Sequence, residues 1–173
     1  MKEHSRLKEV AEKYKESPLR QATLIFLIHG DEILLAMKKR GFAAGKWNGS
    51  GGKPKPEDKN IEETAIREML EETLTKPKNL KHVATLNFYF ESLPDWNQQV
   101  IVFLTNVWEG VPKETEGMAP KWFKKEKIPF DQMWEDDPFW LPLVLDGKSV
   151  EADFLFDENQ KMIEKDIRVV ASL

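Results

Sequence analysis

Arg67-Glu68-Met69-Leu70-Glu71-Glu72 sets three carboxylates at i, i+3 and i+4. On a helix advancing about 100° per residue these three share one face, with Ile66 and Leu70 roughly opposite. Bunched negative charge raises the energy of a fold unless a cation offsets it, and an all-oxygen ligand set suits Mg²⁺ or Mn²⁺. The competing reading is a solvated acidic face paired with lysines. The residues just upstream bear on that choice. Lys38, Lys39, Arg40, Lys46, Lys53 and Lys55 precede the helix, and no acid occurs from Lys38 through Pro56. A basic, glycine-bearing loop feeding a carboxylate helix suits a metal-bound polyphosphate, with cations and backbone N–H groups for the phosphates and acids for the metal.

Working outward, Asn60 with Glu63 three residues on predicts a capping box at the helix start. Ile66, Leu70 and Leu74 predict its buried stripe, and Pro77 its end. Upstream, β-prone runs at 23–28 and 33–37 flank a His29-Gly30-Asp31-Glu32 turn and predict a hairpin. Residues 38–56 read as one long loop, a functional suspect for its length. Downstream, strands are expected at 83–90 and 100–108, joined by a polar connection at 92–98, with a short strand at Trp122-Phe123. Residues 130–145 read as a short-helix region, and 150–156 with 162–170 as a second hairpin. Before Pro18, Leu7, Val10, Ala11 and Tyr14 recur at helical spacing, predicting an amphipathic helix laid on the body.

A chain of 173 residues and 20.1 kDa fits one compact unit. The net charge of −4 and pI near 5.5 argue against a nucleic-acid polymer as partner, which needs surplus cations. With no cysteine, disulfide and thiolate chemistry are excluded, which suits a reducing interior. Residues 1–17 carry Lys and Glu and lack the apolar core of a secretory signal; the acids also disfavour a transit peptide. The longest apolar runs, at 24–28 and 100–104, fall far short of the roughly 20 residues that cross a membrane. The expectation is a cytoplasmic protein without membrane attachment.

Gly52 followed by Arg67-Glu68-Met69-Leu70-Glu71-Glu72 resembles the Nudix box of nucleoside diphosphate-linked hydrolases. That box runs Gly, five residues, Glu, seven residues, then Arg-Glu-aliphatic-X-Glu-Glu-X-Gly-aliphatic. Here one extra residue lies between Gly52 and Arg67, so its first Glu corresponds to Glu57 or Asp58, and Leu74 and Thr75 stand at its final pair. Further stretches are similar to the MutT-homologue subfamily that hydrolyses oxidised purine nucleoside triphosphates. They are 37–42, 45–49, 51–53, Trp122-Phe123, 128–130 and 133–137, and the likeness covers about residues 21–170. The resemblance implies an α/β fold, an α/β/α sandwich around a mixed central sheet. Residues 19–173 would form the Nudix hydrolase domain and 1–18 an additional N-terminal helical extension.

The resemblance also implies roles. Glu68, Glu71, Glu72 and the Gly51 carbonyl would hold Mg²⁺ or Mn²⁺. The subfamily carries an acid just before the Met that matches Met118; here Gly117 stands there, leaving Glu116 to reach in from one residue earlier or water to replace it. Substrate recognition maps onto Thr23, Lys38, Phe42, Asn48, Trp134, Asp136 and Asp137, with Ser50, Gly51, Gly52, Lys53 and Met118 completing the set. Ser50 replaces a bulky aromatic, so the pocket wall should differ there. The residue types fit. Trp134 offers a face for a purine, Asn48 has both donor and acceptor, and two adjacent carboxylates cannot cheaply ionise together, so one should hold a proton. Otherwise Glu135-Asp136-Asp137 would be a helix cap or solvated turn.

The implied reaction is metal-dependent hydrolysis to the monophosphate and pyrophosphate by a water nucleophile. Glu71 or Glu72 would be the base, Lys38 and Lys53 would assist, and Arg67 would brace the carboxylates. The partner would be a small-molecule nucleotide bound by a monomer. Two other readings are a Nudix hydrolase of another nucleoside diphosphate derivative and a non-catalytic nucleotide binder. His4, His29 and His82 read as surface or packing residues, and Trp96, Trp108 and Trp140 as core or edge aromatics.

Overall fold

The computed structural model describes residues 5–173, so His4 lies outside the described residues. The first hairpin joins β1 (Arg20–His29) to β2 (Glu32–Lys38), yet the strands pair only at Ile28–Ile33 and His29–Glu32. Beyond that the chain at 49–52 takes the place of β2 beside β1. Ile25 N–H donates to the Ser50 carbonyl at 2.7 Å, Ser50 N–H returns to Ile25 at 3.1 Å, and Thr23 N–H donates to Gly52 at 2.8 Å. Strand β2 turns instead to β3 (Trp47–Asn48) and to a later strand at Met118–Lys124. The segment expected as an unbroken loop at 38–56 therefore contains β3.

After α2 (Ile61–Thr73) come β4 (Lys76–Lys78), β5 (Lys81–Phe90), β6 (Gln98–Thr105), β7 (Val107–Glu109) and the strand at Met118–Lys124, here β8. The expected strand at 100–108 is two, β6 and β7, and the two-residue strand at 122–123 grows to the whole of β8. A helix α3 (Asp137–Leu145) precedes the second hairpin, β9 (Ser149–Phe156) and β10 (Met162–Val170). The sheet runs β10-β9-β5-β6-β1-β2-β3 with β8 also on β2, while β4 and β7 pair separately. It is mixed: β1 with β6 and β5 with β9 are parallel, and the other pairs are antiparallel.

Alternation along the strands makes the two layers. Phe26, Leu86, Val102, Ala152 and Phe154 line one face, which α3 closes with Trp140, Leu141 and Val144. Ile25, Leu27, Ile101 and Phe103 line the other, which α2 covers with Ala65 and Met69. On that same face Tyr89 and Leu155 receive Leu7 of α1 (Arg6–Glu12). The α/β/α sandwich with an N-terminal helix is as expected.

Helix α2 differs from expectation in which side it buries. Asn60 does cap it, accepting from Glu63 N–H at 2.9 Å, but the Glu63 carboxylate returns to Lys59 N–H, one residue outside the box. The helix stops at Thr73, before Pro77, because Leu74 turns left-handed at φ 59°. Leu70 and Leu74 are 44% and 53% exposed, so they are not the buried stripe; Ala65, Met69 and Thr73 are. At about 100° per residue, Met69 and Thr73 lie within about 80° of Ala65, whereas Leu70 lies about 140° away. Small residues let the helix sit close to the sheet. Glu72 falls about 20° from Ala65, inside the buried stripe rather than opposite it.

Helix α1 is capped from outside. The Glu164 carboxylate of β10 accepts from the Ser5 hydroxyl at 2.7 Å, Arg6 N–H at 2.9 Å and Leu7 N–H at 3.1 Å. These are the donors a helix start leaves over, and the carboxylate meets the positive end of the helix dipole. Burial alone pushes the Glu164 carboxyl up, yet these bonds outweigh it and hold the group below its ordinary value. Its stabilisation is therefore complete above the unfolded carboxyl range and is lost as pH falls through the lowered folded value. Glu164→Gln should cost about 1 kcal/mol in urea unfolding at neutral pH, with the gap closing as acid takes the wild-type carboxyl through its lowered folded value. An equal gap at neutral and acid pH would show that the charge does not cap the helix.

Candidate active site

The loop at 49–52 is wedged between β1 and α2. A Cβ on Gly51 would overlap the Thr23 carbonyl, and one on Gly52 would overlap the Glu68 carboxyl. At Gly51 the clash is with backbone, so only glycine fits there; at Gly52 a side chain would displace the Glu68 carboxyl. Thr23 Oγ1 lies 3.3 Å from both the Gly52 nitrogen and its carbonyl oxygen, pinning the loop from the strand side.

Arg67 pins it from the helix side. Its Nε and Nη2 donate to the two oxygens of Asp58 at 2.9 and 2.8 Å, its Nη2 also to the Lys53 carbonyl at 3.1 Å, and its Nη1 to Glu68 at 2.9 Å and Glu71 at 3.4 Å. Of the two acids the spacing left open, Asp58 is the one Arg67 grips; Glu57 is exposed. The Arg67 guanidinium, with Lys55 N–H and the Thr64 hydroxyl, holds the Asp58 carboxyl far below the usual range. The expected brace is present, and it also ties loop to helix.

Arg67 and Lys55, the latter 3.6 Å from Glu71, draw Glu68 and Glu71 aside. Among the described residues no three acidic or imidazole groups meet at one point as the side chains stand, so the expected convergence of all three glutamates is absent from this arrangement. Glu72 points inward, and its Oε2 is buried with no hydrogen-bond partner. Burial first, and then the Glu68 charge, push its carboxyl up to about 7 against the pull of Gly51 N–H, the Ser50 hydroxyl and Lys38. An orphaned buried oxygen is costly, and a hard divalent cation would satisfy it. Glu68, whose charge reaches Glu72, offers the same kind of oxygen donor, so the chemistry of the donors fits Mg²⁺ or Mn²⁺. Glu116 does not join them: its side chain is 85% exposed and pairs with Arg40 at 3.4 Å. At Gly117 an added Cβ would meet nothing within 4 Å.

On the α3 face a cavity of about 530 Å³ opens beside these acids. Lys38, Phe42, Asn48, Gly51, Gly52, Lys53, Met118, Trp134, Asp136 and Asp137 all line it, as do Thr23 and Glu72. Ser50 does not; it is 2% exposed and faces Glu72, so its small side chain leaves no gap in the wall. Asn48 Oδ1 accepts from Gly49 N–H at 2.8 Å, which commits its acceptor and leaves its amide donors. Trp134 stands 5.4 Å from Phe42, ring centre to ring centre, with Lys46 Nζ 5.2 Å from its own ring centre.

Asp136 and Asp137 are 3% and 2% exposed. Asp136 stands at the start of α3 yet makes no cap bond; its Oδ2 accepts instead from Trp140 Nε1 at 2.9 Å. Asp137 accepts from Trp134 N–H at 3.1 Å. This is neither a cap nor a solvated turn. Burial pushes Asp136 up to about 6, and burial with the Asp136 charge pushes Asp137 well above its ordinary value, so the pair keeps a proton near neutrality.

The remaining aromatics divide. His29 lies against Trp108 and Trp122, and His82 Nε2 lies 2.9 to 3.0 Å from Thr85 Oγ1 and the Ala84 carbonyl, both packing roles as expected. Trp140 is core, and Trp108 packs half-buried on Trp122. Trp96 is an edge aromatic, 4.3 Å from Phe42, which lines the cavity, and 6.0 Å from Phe90. No spacing signal marks it, since it sits in a 3-10 turn, Pro94–Trp96, between strands.

A carboxyl pair with folded pKa values above the unfolded ≈3.9 binds more protons folded than unfolded, so it lowers stability as pH rises through that window. Asp137→Asn keeps the acceptor for Trp134 N–H and removes the second charge. It should raise the thermal midpoint by about 3 °C at pH 8 and by little at about pH 4.5. A uniform shift, or a loss at pH 8, would show that the pair carries no such strain.

Comparison with known families, proteins and solved structures places the chain among similar ones. The NUDIX domain family matches residues 18–144. The chain is 38% identical over 156 residues to an oxidized purine nucleoside triphosphate hydrolase of Mus musculus, covering 90% of this chain and 99% of that one. It is 39% identical over 151 residues to the Danio rerio protein of the same name, covering 87% and 96%. Among solved structures, a MutT protein from Bacillus halodurans superposes with a TM-score of 0.74 at 23% identity, over 86% of this chain and 97% of that one.

Proposed function

The chain belongs to the NUDIX family of hydrolases, and on that footing we propose that it hydrolyses oxidised purine nucleoside triphosphates to the monophosphate and pyrophosphate. Supporting this are the relatives of that name and, above all, one observation: a cavity walled by Trp134 and Phe42 and floored by a proton-sharing aspartate pair opens directly onto Glu72. Residues 19–173 would be the catalytic unit and 1–18 its extension, acting as a monomer on free nucleotides in the cytoplasm. No helix among the described residues is long and apolar enough to cross a membrane.

In this reading the purine stacks on Trp134, and the Asp136–Asp137 pair meets its polar edge with one donor and one acceptor. Moving that proton between the two would let a different oxidised base be accepted. Asn48 adds amide donors. The triphosphate runs toward the loop, where Lys38 and Lys53 offset its charge. Glu68, Glu71, Glu72 and the Gly51 carbonyl would hold the metal. When bound, Mg²⁺ or Mn²⁺ supplies charge neutralisation and a more acidic water. Glu71 or Glu72 takes the proton of the attacking water, while Arg67 keeps Glu68 and Glu71 within reach of the loop.

Glu72→Gln should leave fold and nucleotide affinity within about threefold while kcat for 8-oxo-dGTP with Mg²⁺ falls by at least about 10²-fold, read as pyrophosphate release. Glu71→Gln should do the same if it shares the work. Near-normal turnover in both variants would contradict the assignment. Faster wild-type hydrolysis of ADP-ribose than of 8-oxo-dGTP would favour another nucleoside diphosphate derivative, and binding without turnover would favour a non-catalytic binder.

A further inference from the structure

We propose that the N-terminal helix sets the mouth of the base cavity through a relay of contacts, with Tyr14 and Asn97 as positioning residues that hold Trp96 against Phe42. This rests on the reading that the cavity takes a purine. It concerns residues that the family match, 18–144, reaches only in part, since Tyr14 and α1 precede it.

Asn97 is the pivot. It is 5% exposed, and both ends of its amide are committed: Oδ1 accepts from Phe90 N–H at 2.7 Å, and Nδ2 donates to the Tyr14 hydroxyl at 2.8 Å. A buried amide left with one end unpaired carries the full desolvation cost of that end, so Tyr14 helps decide where Asn97 sits. Tyr14 is itself placed by α1. Its ring lies 5.7 Å from Tyr89, beside the patch where Leu7 docks.

Asn97 ends the 3-10 turn at Pro94–Trp96, and its N–H donates to the Pro94 carbonyl at 3.1 Å. With the turn closed, Trp96 has little freedom of direction. Its ring centre lies 4.3 Å from Phe42 and 6.0 Å from Phe90, and Phe90 stacks on Phe156 in the cavity wall.

Phe42 needs that support. It stands in the turn-rich stretch between β2 and β3, is 44% exposed, and meets Trp96 on one side and Trp134 at 5.4 Å on the other. Without Trp96 its remaining aromatic neighbour is Trp134, the residue the purine would stack on. The relay Tyr14–Asn97–Trp96–Phe42 thus runs from outside the family match to the wall of the base site.

The test uses the full chain, with steady-state kinetics and hydrogen exchange read together. Tyr14→Phe deletes only the hydroxyl. It should raise KM for 8-oxo-dGTP about fivefold, keep kcat within about twofold, and speed exchange at both 91–97 and 38–46. In a Trp96→Leu background the same substitution should raise KM no further, whereas Trp96→Phe should restore most of the wild-type KM. The proposal is overturned if Tyr14→Phe lowers the thermal midpoint with KM unchanged, or if the KM effects of Tyr14→Phe and Trp96→Leu multiply in the double variant. If the wild-type protein turns over no oxidised purine triphosphate, the substrate reading fails separately. The exchange data then decide the relay: faster exchange at 38–46 in Tyr14→Phe supports it, and unchanged exchange there overturns it.

Discussion

Residues 49–52 lie against β1 where its hairpin partner would otherwise lie, and the other features of the site follow from that displacement. The β1–β2 hairpin opens after two residue pairs, β2 is passed to β3 and β8, and the gap becomes the cavity. Such close approach to β1 requires the bare backbone of Gly51, and Gly52 leaves the Glu68 carboxyl its place. It also requires a latch. Arg67, fastened to Asp58 and to the Lys53 carbonyl, holds the loop to α2 while its remaining N–H groups reach Glu68 and Glu71.

One cavity then brings two kinds of lining together. Along β1, Ala22 and Leu24 add apolar wall to the cavity, while Thr23, also in its lining, holds the loop through Gly52. In the proposed reading the cavity's apolar walls and buried acid pair take the base, while Lys38, Lys53 and Glu72 on the same cavity take the phosphates and the metal. Glu72 lies at the junction because it falls within the buried stripe of α2. That position accounts for both its unpartnered oxygen and its raised pKa.

Much of this was legible from residue spacing. β-prone apolar runs mark β1, β5 and β6, alternation at Val150, Ala152, Phe154 and Phe156 marks β9, and the acid-free basic loop before an acidic helix sets off residues 38–56 and α2, whereas the role proposed for Asp136 and Asp137 comes from the family resemblance. The buried face of α2 was not legible, because Leu70 and Leu74 are more hydrophobic than Ala65 and Thr73. Close helix–sheet contact selects for small size, which a hydrophobic count does not register. Strand β3 and the full length of β8 depend on pairing with β2, a contact between distant parts of the chain. Trp96 and Glu116 sit in connections, where nothing local says which way a side chain points.

In the proposed reading the inward-facing Glu72, with its neighbours on the same helix, grips a divalent ion. Titration of the wild-type protein with Mn²⁺, followed by electron paramagnetic resonance of the free ion, measures this without substrate or turnover. Saturable uptake is predicted for the wild type, weakened at least about tenfold in both Glu68→Gln and Glu72→Gln, since each loses one anionic ligand. Uptake of equal strength in wild type and both variants would place the ion elsewhere and rule out Glu68 and Glu72 as its ligands.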